Sequence, residues 1–139
     1  MADSAFARFV FDRSLVRADG SVRWKAFLDK RPPHETSVSA HESLRVGIHW
    51  DEGARVNPSR PLLGAADILD DGVKSAGLDV RSAPLADMPH HAELTGWPQG
   101  DDEDAKLQRI DIAIDLADAS VYVAGACSGG NPVCTVFIN

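Results

Sequence analysis

The residues best suited to chemistry in this 139-residue chain are its five histidines, His34, His41, His49, His90 and His91. Imidazole titrates near neutral pH and ligates transition metals, so it serves both proton transfer and metal binding. His91 and Glu93 stand two apart in the run His-Ala-Glu-Leu-Thr. On a strand, that spacing sends both side chains to one side of the sheet. An imidazole beside a carboxylate can form an acid–base pair or part of a metal site. Pro89 and Pro98 frame a stiff segment around the two. His91 and Glu93 are therefore the predicted catalytic residues, with an arginine from the basic N-terminal part as a third member. His41-Glu42 and His49-Trp50-Asp51 are segments that could supply partners from elsewhere in the fold. No His-Glu-x-x-His occurs, since Ser-Leu-Arg follows His41-Glu42. The plainer alternative has one histidine of the 90–91 pair facing solvent and the other packed on Trp97 or a loop.

Gly125-Ala126-Cys127-Ser128-Gly129 has the spacing of a nucleophile elbow. An elbow needs a helix next, to hold an oxyanion at its N-terminus. Here Gly130-Asn131-Pro132 leads into Val-Cys-Thr-Val-Phe-Ile, which reads as a strand. A hairpin with a four-residue loop fits better, and it would set Cys127 opposite Cys134, within disulfide reach. A reducing compartment would keep both as thiols. Asp111, Asp115 and Asp118 would stack on one side of a helix, either as half of a divalent-cation site or as a solvated edge. Arg8, Arg13, Arg17, Arg23, Lys25, Lys30 and Arg31 interleave with Phe and Trp, a mixture that can hold a phosphate or a nucleic-acid strand. Asp3, Asp12, Asp19 and Asp29 dilute that patch. No phosphate-binding loop, EF-hand or Cys/His zinc framework is present, and the sequence assigns no cofactor.

Charge narrows the classes further. The net charge is −7, with residues 1–60 at +2 and residues 61–139 at −9. That balance argues against general nucleic-acid or anionic-membrane binding. An acidic C-terminal half can present a surface to a basic protein partner. No apolar run approaches a membrane span, and the opening Met-Ala-Asp-Ser-Ala-Phe-Ala-Arg has no secretory pattern, so a cytoplasmic protein is expected.

The elements that must position these residues centre on 101–119. Leu107, Ile110, Ala113, Ile114 and Ala117 fall on one helical face, with acids Asp101 to Asp104 at the start. The alternation Ile110 to Leu116 also fits a strand, but the flanking Ala, Leu, Lys and Gln favour helix. The expected rod is greasy on most sides and wet along one edge. Strands are expected at 5–12, 22–28, 35–40, 62–69, 78–81, 91–97, 121–124 and 133–138, the first two as a long-looped hairpin. A short helix is expected at 41–50, capped by Ser39 and Glu42, and a helical turn at 70–77 ending at Gly77. The fold class is therefore α+β: a mostly antiparallel sheet packed on one long amphipathic helix (about 101–119) plus one or two short helices, in one domain covering 1–139. The functional expectation is a protein-binding or accessory module. The alternatives are a small hydrolase or transferase using His91 and Glu93 with an arginine, and a metal-binding domain.

Overall fold

Runs rich in Ala, Phe, Val and Ile pair into one sheet, described in a computed structural model that covers residues 4–125. The strands are β1 (Ala5–Val10), β2 (Thr36–His41), β3 (Gly64–Leu69), β4 (Asp79–Ser82), β5 (His91–Thr95) and β6 (Val121–Ala124). Their order is β4-β5-β2-β1-β3-β6, and every neighbouring pair is antiparallel. Three helices complete the fold: α1 (Trp50–Val56), α2 (Asp70–Ser75) and α3 (Glu103–Ala119).

Register separates the two faces. Phe6 lies opposite Ala40 and Ile68, Thr36 opposite Leu94, and Val38 opposite Ala92. Because opposed residues share a side, this set makes a first face. It packs with Phe27, Val73, Leu78, Trp97, Ala113 and Leu116 into the main core under α2 and α3. The second face carries Ala7, Ser39, His41, Asp67, His91 and Glu93. It is covered at β1 by α1, where the backbone of Gly53 sits on the Phe9 ring; a Cβ there would fall 2.5 Å from that ring. Trp50 packs beside it, its ring centroid 6.2 Å from that of Phe9.

The long helix starts where its acids indicate. The Asp102 carboxylate accepts from the Ala105 N–H at 3.1 Å, and Glu103 and Asp104 occupy the first turn. Its inward face differs from the expected one. Ala105, Arg109, Ala113, Leu116 and Ala117 are buried, whereas Leu107 is 50% and Ile114 38% exposed. Small alanines let the helix lie close to the sheet. Arg109 is drawn inward because its Nη1 donates to the carbonyls of Pro98 (2.8 Å) and Gly100 (2.9 Å). The helix rests on one face of the sheet, with Gln108, Asp111, Asp115 and Asp118 exposed, and is not wrapped by strands.

Two local expectations are also corrected. Residues 22–28 form no strand: Trp24–Ala26 is a 3₁₀ turn, and β1 pairs with β2 and β3 instead. Val22, Ala26 and Phe27 are the buried residues there, a helical spacing. The segment 41–50 is not a helix. Its first residue ends β2, turns follow, and α1 begins only at Trp50, the last residue of the segment. Asn57 before Pro58 closes α1, since the residue before proline resists helical geometry. The cysteine hairpin, with Cys127, Cys134 and strand 133–138, lies outside the described residues.

Candidate functional site

The second face owes its polar character to alternation in β2, β3 and β5. Asp67 projects from β3, fully buried, and His41, at the end of β2 on the far side of β1, is buried beside it. His41 Nε2–H donates to Asp67 Oδ1 at 2.8 Å, while His41 Nδ1 accepts from the Ser43 N–H at 3.3 Å. These two bonds assign the Nε2–H tautomer. Asp67 Oδ2 accepts from the Arg45 N–H at 2.7 Å. A carboxylate taken out of water needs such partners. The pair thereby fixes the turn 42–47, including Arg45 at positive φ (71°), and that turn leads directly to His49.

His49 caps the start of α1, and Glu52 lies in its first turn. Glu52 is buried and faces His90, which precedes β5. The His90 backbone N–H donates to Glu52 Oε1 at 3.2 Å, and Nδ1 of its ring lies 2.5 Å from Oε2. The His49 and His90 rings stack with centroids 3.7 Å apart and planes 8° from parallel. Two bonds seat His90: its carbonyl accepts from the Ala40 N–H of β2 at 2.8 Å, and Arg55 Nη1 ties α1 to the Asp87 carbonyl at 2.7 Å. The ligand atoms of His49, Glu52 and His90 all lie within 4.8 Å of one another, the one three-ligand group of this kind among the described residues. Burial lowers the pKa of His49, and the neighbouring His90 lowers it further, against a smaller upward pull from Glu52. A lowered pKa keeps the imidazole in the neutral form that metals bind. Open clefts flank the group. One is lined by His41, Glu42, Gly47, His49 and His90, the other by His49, Asp51, Glu52, Arg55 and His90.

No known protein family, characterised protein or solved structure matches this chain. What the site does must therefore come from its own geometry.

The predicted pair, His91 and Glu93, is adjacent in space, with Nε2 to Oε1 at 3.3 Å and both side chains about 15% exposed. His91 Nδ1–H donates to the Ala83 carbonyl at 2.8 Å, so Nε2 meets the carboxylate favourably when one proton lies between them. The Ser37 hydroxyl donates to Glu93 at 3.2 Å. The arginine expected nearby is Arg8, whose charge is coupled to Glu93. Beyond Ala7 the β1–β2 pairing stops, and Arg8 occupies the gap: Nε donates to the Ala26 carbonyl and Nη1 to the Ser37 carbonyl, both at 2.9 Å. Burial lowers the Arg8 pKa, while Asp29 and Glu93 raise it. His91 lines a cavity of about 220 Å³ with Arg8, Phe9, Ser39, Glu52 and Met88. His34 stands apart in the 31–35 loop, its Nδ1–H donating to the Asp29 carbonyl at 2.8 Å. Asp111, Asp115 and Asp118 stay exposed on α3 and join no three-ligand group among the described residues.

Sequence reasoning brought out His91 and Glu93 but did not join His49, Glu52 and His90. A signal was present: His49 and Glu52 are spaced i, i+3 at a helix start, which sets them on one side. Their third partner, 38 residues beyond Glu52, becomes visible only when α1 docks on Phe9.

Proposed function

We propose that this protein binds a divalent transition-metal ion of the zinc class through His49, Glu52 and His90. The single observation that carries the reading is the convergence of two imidazoles and one buried carboxylate, from two separate segments, within 4.8 Å. Two nitrogens and one oxygen suit zinc and its neighbours, whereas calcium and magnesium prefer oxygen shells. Three protein ligands leave a fourth position for water, and the flanking clefts give it access. His49 and His90 would hold the ion as neutral imidazoles and Glu52 as a carboxylate. Binding therefore releases protons.

The test is zinc titration against a chromophoric chelator in a Cys127→Ser/Cys134→Ser background, which removes thiolate ligands. One ion should bind per chain. His90→Ala and Glu52→Gln should each weaken binding by about tenfold or more. Unchanged affinity in both variants contradicts the reading.

A second reading is favoured by the outer side of α3, where exposed Leu107 and Ile114 stand among Asp104, Asp111, Asp115 and Asp118. Such a surface suits a basic protein partner, encountered in the cytoplasm. Its affinity should fall with added salt and fall further in Asp111→Lys/Asp115→Lys. A partner indifferent to both salt and charge reversal would rule this reading out. Among the described residues no helix is long and apolar enough to cross a membrane.

A further inference from the structure

The cavity between α1 and the second face has about 220 Å³ of room, below the ~300–1,000 Å³ typical of pockets for drug-sized ligands. Phe9, Phe11, Val56 and Met88 supply an apolar lining. Its polar lining divides into groups already engaged and groups with capacity left. The main acceptors each have a partner. Both Glu52 oxygens face His90, and the Ser37 carbonyl accepts from Arg8. The Ser37 hydroxyl serves Glu93, and the His91 ring is held by Ala83 and Glu93.

The donors are not used up. Arg8 employs Nε and Nη1, and its Nη2 has no hydrogen-bond partner among the described residues. Asn57 accepts from the Ser59 hydroxyl at its Oδ1, leaving its amide N–H groups over. Ser39 is 4% exposed, lines the cavity, and its Oγ has no partner among the described residues. A buried hydroxyl without a partner is costly and uncommon. The groups left over are thus a cationic donor, amide donors and a hydroxyl, beside aromatic and aliphatic walls.

We infer that this cavity binds a small organic carboxylate with a short apolar body. The carboxylate accepts from Ser39 Oγ and from the remaining Arg8 donors, and the body lies against Phe9, Phe11, Val56 and Met88. An amine would bring a second positive charge against Arg8. A neutral amide would offer Arg8 an uncharged acceptor and so a weaker bond. The inference stands apart from the metal reading, although Glu52 borders both sites.

The test is an NMR titration of the full chain with benzoate, in the presence of a metal chelator so that zinc plays no part. Benzoate should saturate shifts in the amide signals of Phe9, Ser39, Val56 and Met88. Benzamide and benzylamine, of the same size, should bind about tenfold more weakly, because each forfeits charge-assisted bonds. Ser39→Val should weaken benzoate binding several-fold while keeping the unliganded spectrum folded. Asn57→Asp, which sets a negative charge in the lining, should weaken it too and serves if Ser39→Val fails to fold. The inference is overturned if benzoate produces no saturable shift at these amides. Benzylamine or benzamide binding as well as benzoate would overturn it equally, as would unchanged benzoate affinity in the folded variants. Zinc affinity, measured separately, can fail without touching any of these outcomes.

Discussion

The two faces of the sheet are built from the same strands and serve opposite ends. On the first, Phe6, Ile68 and Leu94 meet Leu116 and Phe27 in an apolar layer. On the second, alternate residues of those strands carry Asp67, His41, Ser39, His91 and Glu93, and the turn 42–47 and a seven-residue helix cover part of that face. Burying so many polar groups is unfavourable unless each is paired. Most are, through His41 to Asp67, Glu52 to His90 and Ser37 to Glu93. The apolar face holds the fold, so the other can carry polar groups beyond what packing needs.

The sharpest test of that contrast compares Asp67→Ala with Leu116→Ala. Removing Asp67 leaves buried His41 without its partner and frees the turn before His49. The His41 and Arg45 N–H groups then lose their acceptor, at about 1–3 kcal/mol for each buried donor left unpaired, and zinc affinity should fall with it. Leu116→Ala opens a cavity and should cost about 2–5 kcal/mol with zinc affinity of the folded fraction unchanged. Urea denaturation and zinc titration measure both; equal loss of zinc affinity in the two variants would erase the distinction.

A somewhat smaller effect is expected at Gly53, where α1 touches Phe9. Gly53→Ala must displace the Phe9 ring, at a cost of about 1–3 kcal/mol, and should weaken zinc binding by shifting Glu52. Smaller still is Leu107→Gln on the outer side of α3, expected to change stability by less than about 0.5 kcal/mol. A large loss there would return Leu107 to the core.

The smallest effect belongs to neither face. The backbone N–H and hydroxyl of Ser14 donate to Asp12 and hold its carboxyl below the ordinary value of 3.8. A pKa depressed in the fold contributes stability above the ordinary value and loses it as pH falls through the folded one. The stability gap between wild type and Asp12→Ala should therefore narrow as pH drops through that range, read from urea midpoints; a gap independent of pH would show no such linkage.

Much of the fold was legible because strands announce themselves by β-forming residues between turn signals, and α3 by its acidic start. The segment 41–50 was not legible in this way. Its Leu44 and Ile48 spacing fits a helix, yet Asp67, distant in sequence, holds His41 and the Arg45 N–H and imposes turns instead. Arg109 on the inner side of α3 has the same kind of cause, since the carbonyls that hold it belong to the preceding loop. At the candidate site, the strand period of two was enough to place His91 beside Glu93. The grouping of His49, Glu52 and His90 rests on helix docking, which no local spacing encodes.

The most direct test of the metal site is X-ray absorption of the zinc-loaded protein in the Cys127→Ser/Cys134→Ser background. A first shell of nitrogen and oxygen at about 2.0–2.2 Å, with outer scattering from two imidazoles that drops to one in His90→Ala, is the predicted result. A shell without imidazole scattering, or one identical in wild type and His90→Ala, would contradict it.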